Sequence, residues 1–82
     1  MKNLIEEAGR NLQTILLDYT EKDGGNEGWR EVEPYSFREK NGVEYFYGFD
    51  INKNGIRGFI VDAINDVEIT GNAYKPRWEV EF

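Results

Sequence analysis

The sequence predicts a mainly β protein, a small barrel of about five antiparallel strands with a short N-terminal helix. Three observations support this fold class: short runs in which β-branched and aromatic residues alternate with polar ones, closely spaced turn residues, and one helical pattern at the start. Strands this close in sequence pair antiparallel, and a small sheet avoids bare edges by closing into a barrel. At 82 residues, the chain is expected to form one domain, residues 1–82.

The predicted helix covers residues 2–10, KNLIEEAGR, because its apolar side chains fall on one stripe. A helix this short is marginal in water, so we expect it to pack across the sheet. The first strand is predicted at 13–20, QTILLDYT, where apolar and polar positions alternate. A polar, glycine-rich loop is expected at 21–28.

The second and third strands are predicted at 29–40 and 43–50, joined by Asn41-Gly42. Asn-Gly is the strongest short hairpin signal, because both residues accept the positive φ of a type I′ turn. Pro34 cannot donate to a ladder, so the second strand should bend, bulge or lie at an edge there. The remaining predictions are turns at 51–55 and 63–66, strands at 56–62 and 67–71, and a short additional strand at 78–82.

The third strand, VEYFYGFD, is unusually rich in aromatic residues. Tyr45, Tyr47 and Phe49 share one face, and such an aromatic wall is more often core than a base-stacking platform. Gly48 on the other face is expected to relieve crowding where the strand curves or another backbone approaches.

Composition narrows the function classes. Sixteen acidic residues against ten basic ones give a net charge of −6, which argues against the uniform basic field of a non-specific DNA-binding protein. The chain lacks His and Cys, so the commonest general base and the best nucleophile are missing, and we expect neither an enzyme nor a cofactor. The absence of Cys, of a signal series and of a long apolar run predicts a soluble, cytoplasmic protein without membrane contact.

The segment DINKNG, residues 50–55, fits the first half of an EF-hand calcium loop. The twelfth position of that loop would be Val61, so the bidentate carboxylate is missing. Asn and Gly tolerate the left-handed backbone conformation, and the segment is therefore predicted to be a hairpin turn without a metal.

The order of landmarks resembles a WYL domain, a small Sm-like or SH3-like barrel. The landmarks are ILLDYT, WREVEPYSFR, the aromatic strand ending in Asp50, IRGFIVDAINDVEIT and YKPRWEVE. The triplet that names the family falls on Glu44, Tyr45 and Phe46, so only its middle residue is retained. In the segment that follows, Arg57 matches the family pattern, whereas Ala63 stands where relatives have a second arginine.

The resemblance implies a regulatory or sensor module that binds single-stranded nucleic acid or a nucleotide and signals to a helix-turn-helix DNA-binding domain in the full-length protein. The candidate ligand-binding residues are Arg57 and Tyr45. Arg30 and Arg38 are additional candidates, because basic and aromatic residues interleave along 29–40, as in single-strand-binding grooves. Each arginine could instead form a salt bridge with one of the many nearby acidic residues.

The alternative is a protein-interaction or dimerisation barrel with no small ligand. The acidic balance, Glu44 and Ala63 favour this alternative, whereas Arg57 and Tyr45 favour the sensor.

Overall fold

The computed structural model describes residues 1–21 and 26–82, with only the backbone described at 26–27. One helix precedes five strands: α1 (Lys2–Arg10), β1 (Gln13–Thr20), β2 (Asn26–Lys40), β3 (Val43–Asp50), β4 (Gly55–Ile60), the short 3₁₀ turn η1 (Val61–Ala63) and β5 (Ile64–Ala73). The strands form one antiparallel sheet in the order β4-β3-β2-β1-β5. The predicted five-stranded antiparallel fold with a short N-terminal helix is thus confirmed, while closure of the edges into a barrel stays a prediction.

The element bounds follow the sequence pattern closely at the start of the chain and less well at the end. The helix, β1 and β3 begin and end at the predicted residues. The 3₁₀ turn comes at 61–63, earlier than the predicted 63–66, and β5 is longer than predicted because it pairs with β1 from Gln13↔Ala73 to Tyr19↔Ile64. The loop predicted at 21–28 falls partly on 22–25, outside the described residues.

The short strand predicted at 78–82 is not formed. The C-terminal segment 74–82 instead crosses the sheet without a ladder, and Glu81 donates one backbone hydrogen bond of 2.8 Å to the carbonyl of Tyr35. Pro76 lacks an N–H, which makes a regular ladder less favourable here. The segment is held mainly by its side chains.

Local backbone chemistry explains the turns. Asn41 and Gly42 have φ values of 53° and 78°, the positive pair that a type I′ hairpin requires. In the turn between β3 and β4, Asp50 accepts a 3.1 Å hydrogen bond from the backbone N–H of Lys53, and Asn54 has φ 55°. DINKNG therefore forms the predicted hairpin turn. The predicted irregularity at Pro34 is confirmed by a register shift between Pro34 and Ser36.

The main core lies between α1 and the sheet face that we call the inner face. Its buried side chains come from the helix and from every strand, with Ile64 and Val67 from β5. Those with no exposed surface come from α1 and β1–β4: Ile5, Ala8, Ile15, Leu17, Val32, Phe46 and Phe59. Gly48 also belongs to this face, where a Cβ would lie 2.5 Å from Val32 Cγ1 and 2.7 Å from the carbonyl oxygen of Glu33. Gly48 thus permits the close backbone approach that the sequence predicted.

The expected aromatic wall of β3 lies on the opposite, outer face. Phe46, not Tyr45 or Tyr47, is the buried core aromatic of this strand, and both tyrosines remain half-buried. Assigning these two tyrosines to the core was therefore wrong. Phe49 is buried on the outer face in a second cluster with Tyr35 and Tyr74.

Candidate functional site

Arg57 projects from β4 on the inner face, directly across from Gly48. Its Nη2 donates to both carboxylate oxygens of Glu21, at 2.8 Å and 2.9 Å. The guanidinium also lies 5.4 Å from the ring centroid of Phe59, within the range of a cation–π contact. The Glu21 carboxylate therefore holds Arg57 through charged hydrogen bonds, and the core residue Phe59 packs against its guanidinium.

Arg30 reaches the same carboxylate from β2. Its Nη2 lies 3.3 Å from Oε2 of Glu21, and its Nη1 lies 3.5 Å from Oδ2 of Asp50. The Arg30 side chain is only 5% exposed, and its guanidinium lies 5.9 Å and 5.7 Å from the ring centroids of Tyr19 and Phe59. Burial and aromatic support fix the position of this guanidinium, because a buried charge needs its partners to be kept in place.

We call this group the arginine cluster: Arg30, Arg57, Glu21 and Asp50. Its formal charges cancel, since two guanidinium groups face two carboxylates. Exposure differs sharply between the members, because Arg57 and Glu21 are 28% and 21% exposed whereas Asp50 is fully buried. Solvent therefore reaches the cluster on the side of Arg57 and Glu21.

Tyr45 and Arg38 lie outside this cluster. They face each other across the β2–β3 ladder on the outer face, where Arg38 donates a 2.6 Å hydrogen bond to Glu81. The Tyr45 ring lies 6.2 Å from the ring of Tyr47. The four residues that the sequence singled out are therefore placed in two pairs on opposite faces: Arg57 with Arg30, and Tyr45 with Arg38.

Glu44, which stands in the first position of the triplet, is also remote from the arginine cluster. It lies at the other end of β3, six residues before Asp50, or roughly 20 Å at the usual rise of a strand. Its carboxylate pairs with the ammonium of Lys2 at 2.5 Å. Glu44 therefore places no negative charge next to Arg57.

Comparison with known proteins identifies the family to which this arrangement belongs. Residues 1–69 match the WYL domain. The chain belongs to the WYL domain family. Its structure is similar to that of the proteasome accessory factor B/C (PafBC) of Arthrobacter aurescens, with a TM-score of 0.79 and 25% sequence identity.

The PafBC match covers 88% of this chain and 11% of that one, so the chain spans about a tenth of that relative's length. A search of curated proteins finds no match to the chain. The WYL match ends before the C-terminal segment, in which Tyr74, Trp78 and Val80 pack on the outer face whereas Phe82 packs against the main core.

Sequence reasoning missed both carboxylates of the cluster. Asp50 carries a signal, because it closes the aromatic strand, but that position indicates only a turn residue and a family landmark. Glu21 carries none. It stands 36 positions from Arg57, and only the fold brings the end of β1 near β4.

A second polar group lies under the C-terminal segment. The Tyr35 hydroxyl donates to Glu33 at 2.8 Å, and Arg77 donates to both oxygens of the same carboxylate at 3.1 Å and 3.3 Å. Trp78 stacks on Tyr35 with ring centroids 3.8 Å apart. Burial raises the pKa of Tyr35 to about 12, and the nearby Glu33 carboxylate contributes to this rise. Here the charges are internally satisfied, which is typical of a structural contact.

Metal binding has no support in the part of the chain that the structure describes. Across residues 1–21 and 26–82, no group of three or more His, Cys, Asp or Glu side chains is placed to hold an ion. Over the same residues, no helix is long and apolar enough to cross a membrane.

Proposed function

We propose that this WYL domain is a non-enzymatic sensor module in which Arg57 and Arg30 together bind a nucleic-acid-derived anion. The observation that carries the proposal is the contact of both guanidinium groups with one carboxylate, that of Glu21. Two arginines that share one carboxylate are spaced to share one phosphate, because both anions present oxygens to planar guanidinium donors.

The surroundings of the two arginines favour binding over a passive surface ion pair. Arg30 is buried and supported by two aromatic rings, so little side-chain freedom is lost when a ligand binds. Arg57 is partly exposed at the entrance to the cluster. Partial burial also strengthens each charged hydrogen bond relative to bulk water.

The regulatory role rests on kinship. PafBC, to which the fold is similar, is a much longer chain, with space for further domains. We propose that ligand binding at the arginine cluster modulates an attached or partner transcription regulator, with a helix-turn-helix DNA-binding domain in the full-length protein. Tyr45 and Arg38 are on the other face and would not contact a ligand held by Arg57 and Arg30.

The test is a titration of the ¹⁵N-labelled 82-residue chain with short single-stranded DNA, single-stranded RNA and nucleotides at low and moderate salt. We expect saturable shifts on β2 and β4 that weaken with salt and are lost in Arg57→Ala. Arg38→Ala is the matched control, because it removes the same charge from the outer face and should leave binding unchanged.

Three results would refute the sensor function: no shift with any of these ligands, equal loss of binding in both variants, or shifts confined to the outer face. Absence of binding together with concentration-dependent self-association would support the alternative interaction module. Ile56, 64% exposed on the edge strand β4, is the natural first residue to map in that case.

A further inference from the structure

We propose that Glu21 is an internal competitor for the anion site, and that the ligand which displaces it carries a terminal phosphate monoester. This inference rests on the proposed function, because it specifies the ligand class and the regulation of the same site. It concerns one side chain of this protein, at the end of β1, whose carboxylate already occupies the position expected for the ligand.

The contacts of Glu21 are those of a bound anion. Both of its oxygens accept from Nη2 of Arg57, and one also accepts from Nη2 of Arg30. A ligand phosphate cannot approach both guanidinium groups in this way while the carboxylate remains. Binding therefore requires exchange of one anion for another.

Of the two carboxylates in the cluster, only Glu21 is placed to leave. It is 21% exposed and follows the last residue of β1, so a change of rotamer carries its charge into water. Asp50 has no exposed surface and also accepts a hydrogen bond from the backbone of Lys53, so its departure would break the β3–β4 turn. When Glu21 leaves, Asp50 still pairs with Arg30, and no buried guanidinium loses all its charge partners.

Charge determines which ligand can make the exchange. A tethered side chain competes at an effective concentration that is in the millimolar range or above for short tethers. A phosphodiester carries one negative charge, as the departing carboxylate does, and would gain little from replacing it. A phosphate monoester carries roughly −1.5 to −2 at pH 7 and has three acceptor oxygens, so it makes stronger contacts with the two arginines. The remaining Asp50 carboxylate repels either ligand, which further penalises a weakly charged one.

Adenosine 5′-monophosphate and 3′,5′-cyclic adenosine monophosphate form a matched pair of probes, because they share base and sugar and differ in monoester against diester. Binding is measured by amide shifts of the 82-residue chain at pH 7.5 and constant ionic strength. The unmodified protein should bind the 5′-monophosphate at least about tenfold more tightly than the cyclic nucleotide. Glu21→Gln keeps the shape of the side chain and should bind the 5′-monophosphate about tenfold more tightly than the unmodified protein.

Glu68→Gln is the matched control, because it makes the same change in net charge at an exposed position on β5. Its affinity should stay within about twofold of the unmodified protein, since the charge change is remote and screened by salt. The affinity of Glu21→Asp for the 5′-monophosphate should lie between those of the unmodified protein and Glu21→Gln, because this variant keeps the charge on a shorter side chain. The dispersion of the amide spectra confirms that each variant is folded.

Each outcome decides a separate claim. Equal affinity for the two nucleotides overturns the monoester assignment. Affinity in Glu21→Gln no higher than in the unmodified protein, or an equal gain in Glu68→Gln, overturns the competitor role while leaving the proposed function standing if Arg57→Ala abolishes binding. No binding by either the unmodified protein or Glu21→Gln overturns the inference and the nucleotide-sensing function together.

Discussion

Replacing Asp50 with alanine tests whether the arginine cluster is as tightly coupled to the fold as its burial indicates. Asp50 is fully buried, and its two oxygens serve different elements: Oδ2 faces Arg30 at 3.5 Å, and Oδ1 accepts from the backbone N–H of Lys53 at 3.1 Å. The substitution therefore removes one partner of a buried charge and one bond of the β3–β4 turn.

The expected cost is large for a domain of this size. Removing one partner from a buried ion pair costs about 3–5 kcal/mol, because the other charge stays buried and uncompensated. Arg30 retains Glu21 at 3.3 Å, which places the pair at the lower end, whereas the lost turn hydrogen bond adds about 1 kcal/mol. We expect a total near 4 kcal/mol. Domains have about 0.05–0.15 kcal/mol of stability per residue, so this loss is a major fraction of the total.

Urea unfolding followed by tryptophan fluorescence and circular dichroism measures this loss, and Asp62→Ala is the control. Asp62 is exposed in the 3₁₀ turn, and its removal changes the net charge equally. The double variant Arg30→Met with Asp50→Ala should recover part of the lost stability, because it no longer buries a guanidinium that has lost its Asp50 partner. An unfolding free energy of Asp50→Ala within about 1 kcal/mol of that control would refute the coupling.

Three further perturbations have defined outcomes. Gly48→Ala should lower the free energy of unfolding in urea by about 1–3 kcal/mol, because the new Cβ meets Val32 and the backbone of the neighbouring strand. Gly58→Ala should cost less, since its Cβ meets only the Tyr47 ring, and equal costs would contradict this. Trp78→Ala should lower the free energy of unfolding by about 1–3 kcal/mol, because the stack on Tyr35 is lost. Trp29→Ala, at an exposed position, should cost less than about 0.5 kcal/mol, and equal losses would refute the structural role of the C-terminal segment. Stability should fall as pH rises from 10 to about 12, because burial raises the pKa of both Tyr35 and Tyr74 and their hydroxyls deprotonate first in the unfolded chain. The fall should be smaller in Tyr35→Phe, and an undiminished fall would refute the contribution of Tyr35.

Much of the fold could be predicted from local sequence. Alternation of apolar and polar residues predicted β1 at its observed bounds, and the turn chemistry of Asn41-Gly42 with the aromatic run after it predicted β3 and its hairpin with β2. The face of β3 that forms the core could not be predicted in this way. Its outer face carries more aromatic rings, but the position of α1 and the cross-strand partner Phe59 decide that Phe46 is the core residue.

The candidate site could be predicted only in part for a similar reason. Arg57 could be recognised from the family pattern and Arg30 as a basic residue among aromatic ones, and the fold brings both to one carboxylate. The pairing of Gly48 with Arg57 places Arg57 on the face of Gly48, and Tyr45 points to the opposite face because side chains alternate along a strand. Glu21 depends on contacts between distant strand ends, which no local pattern encodes.

Binding of one anion by Arg30 and Arg57 together can be followed at the arginine Nε–H signals in ¹H–¹⁵N spectra. The probe is a short single-stranded oligonucleotide with a 5′-phosphate, and arginine-to-lysine variants assign the signals. We expect the Arg30 and Arg57 signals to shift with the same dissociation constant, while the Arg38 signal on the outer face stays unchanged. Shifts at Arg38 alone, or different dissociation constants for Arg30 and Arg57, would contradict this joint binding.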